Sequence, residues 1–499
     1  MNRFTTRPEI LGTFGVVTST HWIASAVGMG ILEKGGNAFD AAVATGFALQ
    51  CVEPHLNGPG GEAPILVHSA KSKSVEVICG QGVAPQAATI AAFDKLGLDL
   101  IPGTGLLPAT VPGAFDAWMV LLRDWGTMTL AQVLEPAIGM WMNGFPVVPR
   151  MTETIQTVAT LFRDHWKTSA ALYLPGGRPV QPGTIFANPT LGNTYMRVLA
   201  EAQTAGGDRI AQIEAARRTW YKGFVAEAID TFCRTHAVMD VSGRPHKGLL
   251  TGDDMARWQA PVEAPLTYDY GRYTIAKCGP WNQGPVLLQQ LALLAGTGVD
   301  KLDPTSPEFV HLVTEAAKLA FADREAFYGD PDFTTVPMQT LLSKSYNDAR
   351  RKLITDRASL ELRPGIVEGL DWRLDVGAAT RRADLKKGAG AGEPTVGALA
   401  GPSPGREGEP TTSKMGHVRG DTVHLDIIDR HGNMVSATPS GGWLQSSPII
   451  AELGLCLGTR GQMFWLDAKA PAALVPGKRP RSTLSPGIAL RDGEAYLAF

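Results

Sequence analysis

The sequence predicts an α+β protein, because helical and strand patterns dominate different parts of its 499 residues. Apolar residues recur at helical spacing near the N-terminus, over residues 107–229 and over residues 300–330. After residue 413 the pattern changes abruptly to an alternation of apolar and polar residues, which is typical of strands. Between these patterns lies a Gly/Pro/Ala-rich segment without periodicity, residues 386–413, which is predicted to be flexible.

The N-terminal part begins with a predicted strand, and two helices follow it. The first helix covers residues 24–32 and ends at residues 35–36, because glycine commonly follows the last helical turn. The second helix covers residues 38–52 and stops before Pro54. The segment PILVHSAKSKSVEVI is then predicted to form two strands joined by a polar turn at residues 71–74.

Residues 300–330 contain the clearest amphipathic helix. Its apolar stripe consists of Leu312, Ala316, Leu319 and Ala320. His311 and Glu315 lie four residues apart on this helix, a spacing that two metal ligands could use. No third ligand stands at a suitable spacing, so we interpret both as surface or capping residues.

The segment GDTVHLDIIDRHGNMVSAT, residues 420–438, predicts a hairpin. Its first strand places Val423, Leu425 and Ile427 on one face, a turn follows, and MVSAT returns as the partner strand. Thr422 stands at the start of this first strand. By alternation, His424 shares the face of Thr422.

A threonine that directly follows a flexible segment has two explanations. The segment could be a linker, and Thr422 one of the β-branched residues that strands favour. Alternatively the chain is cut there, and the new N-terminal threonine is a nucleophile. Its own α-amine, with a pKa of about 7.7–8, could then accept the hydroxyl proton. The spacing of the residues leaves both explanations open.

The composition argues against several classes of function. A formal charge of −2 disfavours nucleic-acid and membrane-surface partners, which normally require a basic excess. The five cysteines form no CxxC pair, and no phosphate loop, GxGxxG or HExxH occurs, so no metal or cofactor is predicted. No apolar run is long enough to span a bilayer and no signal peptide is visible. We expect a cytoplasmic protein, or a periplasmic one if the N-terminus is trimmed.

The sequence resembles the gamma-glutamyltransferases, which are N-terminal nucleophile hydrolases related to some cephalosporin acylases. The similarity covers nearly the whole chain and rests on THWIASAVGMGILEKGGNAFDAAVATGFALQCVEPHLNGPGG, VPGAFDAW, GFPV, HLVTEAAKLAFADREAFYGDPDF, TVHLDIIDRHGNMVSAT and PGKRPRSTLSPGIAL. It implies a four-layer αββα sandwich of the N-terminal nucleophile hydrolase type. It also implies a large-subunit region, residues 1–421 with a flexible segment at 385–415, and a small-subunit region, residues 422–499.

The resemblance further implies a precursor that cuts itself between Asp421 and Thr422. Thr422 would be the nucleophile, and Ser440 matches a family hydroxyl that assists it. Ser482 and Thr483 match a pair of hydroxyl residues that line the substrate pocket. The implied partners are a small amide or gamma-glutamyl substrate and the two subunits of one precursor, compatible with a homodimer of heterodimers. No cofactor is implied, because the amine and the hydroxyls suffice chemically.

Three residues depart from the family's way of binding a glutamyl group. Gln81 stands where an arginine binds the α-carboxylate, so a charge-assisted contact of about 1.5–3 kcal/mol is lost. Gly442 replaces an asparagine, and Trp465 replaces the acid that receives the α-amino group, while Gln462 is retained. Asp467 could substitute for that acid only through a bulge or loop. We therefore expect an acyl group that is less charged or bulkier than glutamyl, and glutathione as a poor substrate.

The sequence ends at DGEAYLAF. In the family a Gly-Gly motif follows at once and supplies N–H groups to the oxyanion, and losing one such donor typically slows the reaction by about 10²–10³-fold. The second sheet would also be left with open edges. We therefore expect a truncated sequence that lacks part of the small subunit.

Three functions fit these residues. The leading hypothesis is a self-processing threonine-nucleophile amidohydrolase or acyltransferase acting on a gamma-glutamyl or related acyl group. The second is an acylase-type hydrolase of a bulkier, non-glutamyl amide, which Gln81, Gly442 and Trp465 indicate. The third is a non-catalytic binding protein that retains the scaffold, which the intact Thr422 and Ser440 disfavour.

Overall fold

The computed structural model describes residues 9–375 and 422–499. Its helices are α1 (Trp22–Glu33), α2 (Ala38–Val52), α3 (Ile90–Lys95), α4 (Ala114–Asp124), α5 (Leu130–Asn143), α6 (Pro149–Asp164), α7 (Lys167–Tyr173), α8 (Pro189–Thr204), α9 (Arg209–Lys222), α10 (Phe224–Thr235), α11 (Gly252–Arg257), α12 (Gly284–Leu294), α13 (Pro307–Phe327), α14 (Met338–Leu341) and α15 (Lys344–Arg351). Its strands are β1 (Gly15–Ser19), β2 (Ala63–Ser69), β3 (Ser74–Gly80), β4 (Phe145–Pro146), β5 (Ile185–Phe186), β6 (Val238–Met239), β7 (Pro245–His246), β8 (Val262–Glu263), β9 (Leu266–Tyr270), β10 (Tyr273–Lys277), β11 (Leu425–Asp429), β12 (Met434–Ala437), β13 (Ile488–Arg491) and β14 (Glu494–Ala498).

Two antiparallel sheets form the middle of the described structure. The first has six strands in the order β1-β11-β12-β2-β3-β8, and the second has four in the order β14-β13-β10-β9. Two short ribbons, β4 with β5 and β6 with β7, lie outside them. The hairpin β11–β12 is therefore inserted between the N-terminal strand β1 and strand β2.

Alternating side chains give the first sheet two buried faces. On β2, Ile65 and Val67 enter the core shared with the helices α1, α2 and α4, whereas Leu66 faces the second sheet. Leu66 shares a core there with Ala276 and Ile488 of the second sheet. Helices α12 and α13 form a further core, against which the side chain of Leu266 on β9 packs. The order is helices, sheet, sheet, helices, so the predicted four-layer αββα sandwich is confirmed.

Helix α2 lies at the centre of the largest core, and every one of its 15 residues is buried. Small residues allow its neighbours to approach closely: a Cβ on Gly46 would lie 2.4 Å from Cζ2 of Trp118. A capping box between Asn37 and Asp40 closes the start of the helix. The N–H of its first residue, Ala38, donates to the Asp429 carboxylate at 3.0 Å. The turn of the hairpin β11–β12 is thus tied to this helix.

Most predicted elements lie where the sequence places them, including helix α2, the β2–β3 hairpin and the β11–β12 hairpin. The interpretation of Glu315 as a surface or capping residue is wrong. Its side chain is 1% exposed and is bound by Lys318, by Arg363 at 2.9 Å and by the N–H of Ser359 at 3.2 Å. A helical pattern that counts apolar residues cannot reveal that groups outside the helix, Arg363 and the N–H of Ser359, cover and bind this carboxylate. His311 lies near the surface, 2.7 Å from the carbonyl oxygen of Thr355.

The predicted flexible segments, 386–413 and its wider form 385–415, lie outside the described residues. In the ranges 9–375 and 422–499, no helix combines the length and the apolar character that a bilayer-spanning segment needs.

Replacing Asp429 by alanine should destabilise the fold by about 2–4 kcal/mol. The carboxylate accepts hydrogen bonds from the N–H groups of Ala38, His431 and Asn433, and its loss leaves the buried Ala38 N–H without this acceptor. Urea unfolding would measure the difference. The control Glu494→Ala removes only an exposed ion pair with Lys73 and should change stability by less than about 0.5 kcal/mol. Equally small losses of stability in both variants would contradict the conclusion that Asp429 links the hairpin turn to helix α2.

Candidate active site

Thr422 and Ser440 face each other because they share the register of the hairpin. Leu425 pairs with Ala437 in β11–β12, and the same antiparallel register continues to a bridge between Thr422 and Ser440. Their hydroxyl oxygens, Oγ1 and Oγ, lie 3.4 Å apart. The separation of 18 residues between them is therefore what a hairpin centred on His431 requires. The structure brings the two predicted catalytic hydroxyls together.

The backbone forms a glycine-rich turn directly after Ser440. This turn packs against another glycine-rich turn, residues 58–61. Gly442 has φ +64°, and a Cβ at this position would lie 2.7 Å from the backbone nitrogen of Gly61. Ser440 and Glu62 exchange two backbone hydrogen bonds, of 2.9 and 3.0 Å. The two turns therefore pack backbone against backbone and leave no room for the asparagine side chain that the resemblance implies. Gly442 can offer a substrate only main-chain groups.

A buried ion pair that the sequence analysis missed lies directly behind Ser440. Arg460 Nε donates to Glu62 Oε1 at 2.6 Å, and Arg460 Nη2 lies 3.4 Å from Ser440 Oγ. Both charged side chains are at most 3% exposed. Because arginine can only donate, Ser440 Oγ accepts from Arg460 and keeps its own proton for another acceptor such as Thr422 Oγ1.

The sequence carries a weak signal for this pair. Glu62 is a carboxylate between a glycine turn and the apolar strand β2, and Arg460 is a lone charge in the segment LCLGTRGQMF. Charged residues in such surroundings are normally paired when they are buried. The two positions are 398 residues apart, so only the fold identifies them as partners.

Gln462 and Trp465 lie shortly after Arg460 in the sequence, and the guanidinium of Arg460 contacts Ser440. Gln462 belongs to the short 3-10 turn Arg460–Met463, and Trp465 lies two residues beyond it. The amide oxygen of Gln462 and the indole nitrogen of Trp465 are buried and have no hydrogen-bond partner within residues 9–375 and 422–499. Buried polar groups rarely stay unpaired in native proteins, so these atoms indicate where ligand atoms could bind.

Gln81 and Arg481 belong to segments that run side by side. Ala84 exchanges backbone hydrogen bonds of 2.8 and 2.9 Å with residues 477–478, and the Arg479 guanidinium lies 3.5 Å from Cys79 Sγ. Gln81 is fully buried, and its amide oxygen has no hydrogen-bond partner in the part of the chain that the structure describes. The position that lost an arginine thus holds a buried neutral amide.

Ser482 and Thr483 begin a loop, and the buried side chain of Lys277 holds this loop by a hydrogen bond to its backbone. Ser482 is fully buried and its Oγ accepts from the N–H of Leu484 at 3.3 Å, while Thr483 is half-buried. Lys277, at the end of β10, donates from Nζ to the carbonyl oxygen of Ser485 at 2.8 Å, and burial lowers the pKa of this lysine to about 8. The assignment of Ser482 and Thr483 to the substrate pocket stays a prediction.

Two other polar residues singled out in the sequence are engaged elsewhere. Asp467 accepts from the indole N–H of Trp372 at 2.9 Å and from the N–H of Lys469 at 3.0 Å. His424 lies 2.9 Å from both Asp426 and Thr438, its neighbours on the hairpin. Asp467 is therefore already bound by Trp372 and by its own loop, and His424 by its own hairpin.

The cysteines are poor candidates for a nucleophile. All five are buried, and burial raises the pKa of the Cys79 and Cys233 thiols to about 12, so these thiols stay protonated at neutral pH. In the two described ranges, no group of three His, Cys, Asp or Glu side chains is arranged to hold a metal ion.

A family model described as gamma-glutamyltranspeptidase matches residues 24–499. The chain belongs to the gamma-glutamyltranspeptidase family. The match includes Thr422, Ser440 and the predicted pocket residues, together with Glu62 and Arg460. Members of this family are N-terminal nucleophile hydrolases made as proenzymes, which agrees with the sequence prediction of a precursor.

Relatives within the gamma-glutamyltranspeptidase family carry different names. The glutathione hydrolase-like YwrD proenzyme of Bacillus subtilis (strain 168) is 29% identical over 494 residues, which cover 98% of this chain and 79% of that protein. The acylase ACY 1 proenzyme of Pseudomonas sp. (strain SE83) is 30% identical over 500 residues, covering 98% and 76%. The solved structure of LmbA2991HD is 52% identical, with a TM-score of 0.87 over 99% of this chain and 79% of that one.

Variants of the Glu62–Arg460 pair should separate its structural role from its effect on Ser440. Arg460→Met leaves Glu62 buried without this partner and should destabilise the fold by about 3–5 kcal/mol. The double variant Glu62→Met/Arg460→Met should recover most of that stability in urea unfolding. The self-cleavage that the resemblance implies before Thr422 should still be at least about tenfold slower in this double variant than in the parent, because Ser440 has lost its donor. A double variant that regained both stability and cutting rate would show that the pair is structural only.

An asparagine at position 442, which the resemblance implies for the family, should destabilise this fold. Gly442→Asn places a Cβ against the backbone of Gly61 and should lower stability by about 3 kcal/mol or more. Gly243→Asn is a matched control, because Gly243 has φ +76° with nothing within 4 Å of a Cβ, and asparagine tolerates this conformation. Thermal unfolding of the two variants measures the difference, and an equal loss at both sites would disprove the close contact.

Proposed function

We propose that the protein is a self-processing amide hydrolase or acyltransferase whose nucleophile is Thr422. The observation that carries the proposal is the 3.4 Å approach of Thr422 Oγ1 to Ser440 Oγ, behind which Arg460 is anchored by Glu62. Membership of the gamma-glutamyltranspeptidase family supports it, and so do the proenzyme names of the relatives. The cut would fall between Asp421, which lies outside the described residues, and Thr422.

Maturation in this proposal is an acyl shift followed by hydrolysis. Thr422 Oγ attacks the carbonyl carbon of Asp421, an ester C–O bond forms, and the peptide C–N bond breaks. The hydroxyl proton ends on the released nitrogen, which becomes the α-amine of Thr422. Water then opens the ester, leaving a carboxylate on Asp421 and a free hydroxyl on Thr422. The hydrogen bond between Ser440 and Thr422 orients the attacking oxygen.

Turnover repeats this chemistry on a small amide. The α-amine of Thr422 takes the hydroxyl proton as Oγ attacks the acyl carbon, and the same proton then passes to the departing amine. The acyl group remains on Thr422 as an ester. Water releases it as an acid in a hydrolase, whereas a second amine takes it in a transferase.

The acyl group itself is proposed to be gamma-glutamyl or a related group, with a bulkier non-glutamyl amide as the second candidate. The specific observation that favours the second candidate is the chemistry of three positions. Gln81 is a buried neutral amide, Gly442 has no space for a side chain, and Trp465 presents an indole. None of the three offers the charges that bind the two ends of a glutamyl zwitterion.

Thr422→Ala should abolish cutting, and Thr422→Ser should retain it at a reduced rate, because serine keeps the hydroxyl but lacks the methyl group that restricts its rotation. Intact mass and N-terminal sequencing measure both, and in the parent the small fragment should begin Thr-Val-His-Leu-Asp. The control Thr157→Ala, on α6, should be cut like the parent. A fragment starting at residue 422 or 423 in the Thr422→Ala variant would refute the proposal. A parent chain that stays whole would favour the non-catalytic binding protein.

A further inference from the structure

A cavity of about 510 Å³ lies outside the residues assigned to the active site. Its walls come from the end of helix α13, from residues 333–335 and 369–372, and from the segment 468–478. Its described lining includes neither Thr422 nor Ser440, nor any of the predicted pocket residues. Cavities of about 300–1,000 Å³ are typical of small-molecule sites, so this one is large enough for a ligand of that size.

The cavity is built from both regions of the chain. Its lining residues between 326 and 372 precede position 422, and those between 468 and 478 follow it. At its edge the indole N–H of Trp372 donates to Asp467 Oδ2 at 2.9 Å, which links the two regions and fixes the Trp372 ring in the wall. A ligand in this cavity would therefore contact both regions.

Part of the wall is aromatic. Phe327 is buried in the core of α12 and α13, whereas Trp372 is half-buried and Phe333 is 46% exposed. Leu370 and Val475 continue the apolar surface. Covering apolar surface yields about 25 cal/mol per Å², so an apolar ring packed on this wall would contribute favourably to binding.

The cavity also contains a buried cation. Lys478 is 3% exposed and lines the cavity. Its ammonium group has three N–H donors, and Nζ donates to the carbonyl oxygen of Pro471, a neutral acceptor, at 2.6 Å. No carboxylate of residues 9–375 or 422–499 forms an ion pair with Lys478, since the neighbouring Asp330 and Asp332 pair with Arg479.

The charge of Lys478 is incompletely compensated. Burial lowers the pKa of this lysine, and Asp330 opposes the effect only in part. Lys469 adds a second cation to the lining, against one acid, Asp371, among the described lining residues. A buried ammonium group with a carbonyl as its acceptor is stabilised when an anion binds beside it.

We propose that this cavity binds an arylalkyl carboxylate, with the aromatic ring against Phe333 and Trp372 and the carboxylate on Lys478. The ring covers the exposed apolar wall, and the carboxylate gives the ammonium group a charged acceptor. The site is separate from the chemistry at Thr422 and does not depend on the proposed function.

Three compounds test the two halves of this ligand: 2-naphthylacetate, 2-(2-naphthyl)ethanol and acetate. Calorimetry on the parent protein should show 2-naphthylacetate binding about 10- to 100-fold more tightly than the alcohol, the range for a charge-assisted contact. Acetate, which lacks the ring, should bind at least about 100-fold more weakly than 2-naphthylacetate. Equal affinities for the acid and the alcohol would overturn the carboxylate contact, and no binding of either would overturn the site.

Variants of the lining assign the binding to this cavity. Lys478→Met should bring the affinity for 2-naphthylacetate to within about threefold of that for the alcohol, because the charge is lost and much of the side-chain length is kept. Phe333→Ala should weaken both compounds by about tenfold, and because Phe333 is exposed this variant tests the site even if Lys478→Met does not fold. Lys71→Met, at an exposed lysine between β2 and β3, is the control and should bind like the parent. A preference for the acid that survives in Lys478→Met, or unchanged binding in Phe333→Ala, would overturn the assignment.

The Thr422→Ala variant distinguishes this cavity from the active site. It should bind 2-naphthylacetate with the affinity of the parent, because the described lining does not include Thr422. Binding that disappears in Thr422→Ala would overturn the assignment and place the ligand at the active site. Binding by a chain that neither cuts itself nor hydrolyses amides would support this site while the proposed function fails.

Discussion

The register of the hairpin β11–β12 is the constraint on which the rest of the site depends. Strand side chains alternate between two faces, so a slip of one residue would move Leu425 and Ile427 out of the helical core. The same slip would separate Thr422 from Ser440. The register is held on both sides, because β1 pairs with β11 and β2 pairs with β12. It is also held at the turn by the hydrogen bond between Ala38 and Asp429.

Around this hairpin, the site is built from backbone contacts and one buried charge pair. The glycine turns at residues 58–61 and 441–442 approach too closely for side chains, which brings Glu62 beside Ser440. A charge pair in such a place adds little net stability, because removing both ions from water offsets most of their attraction. The position of the pair is better explained by its effect on the orientation of the Ser440 hydroxyl. Arg460 donates a hydrogen bond to Ser440 Oγ and so determines where the serine proton points.

Sequence patterns predicted the helices and strands whose formation depends on residues close together in the chain. Alternation predicted the strands β2, β3, β11 and β12, and helical spacing together with flanking glycines predicted α1 and α2. The pairing of Thr422 with Ser440 followed from the resemblance, although the hairpin register alone would have given it. Patterns could not reveal the partners of Glu62 and Arg481, or the pairing of Glu315 with Arg363, because these partners lie far apart along the chain.

Each of the two sheets combines strands from before and after position 422. This arrangement determines whether folding comes before or after a cut at that position. Residues before position 422 contribute β1, β2, β3 and β8 to the first sheet and β9 and β10 to the second, while the later residues contribute the strands between and beside them. A cut before Thr422 would leave every strand pair intact but would change the molecularity of unfolding from one chain to two. Stability would then depend on concentration, and the severed pieces would have to find each other again in order to refold. Such a protein assembles once, as a single chain, and the cut makes that assembly hard to repeat.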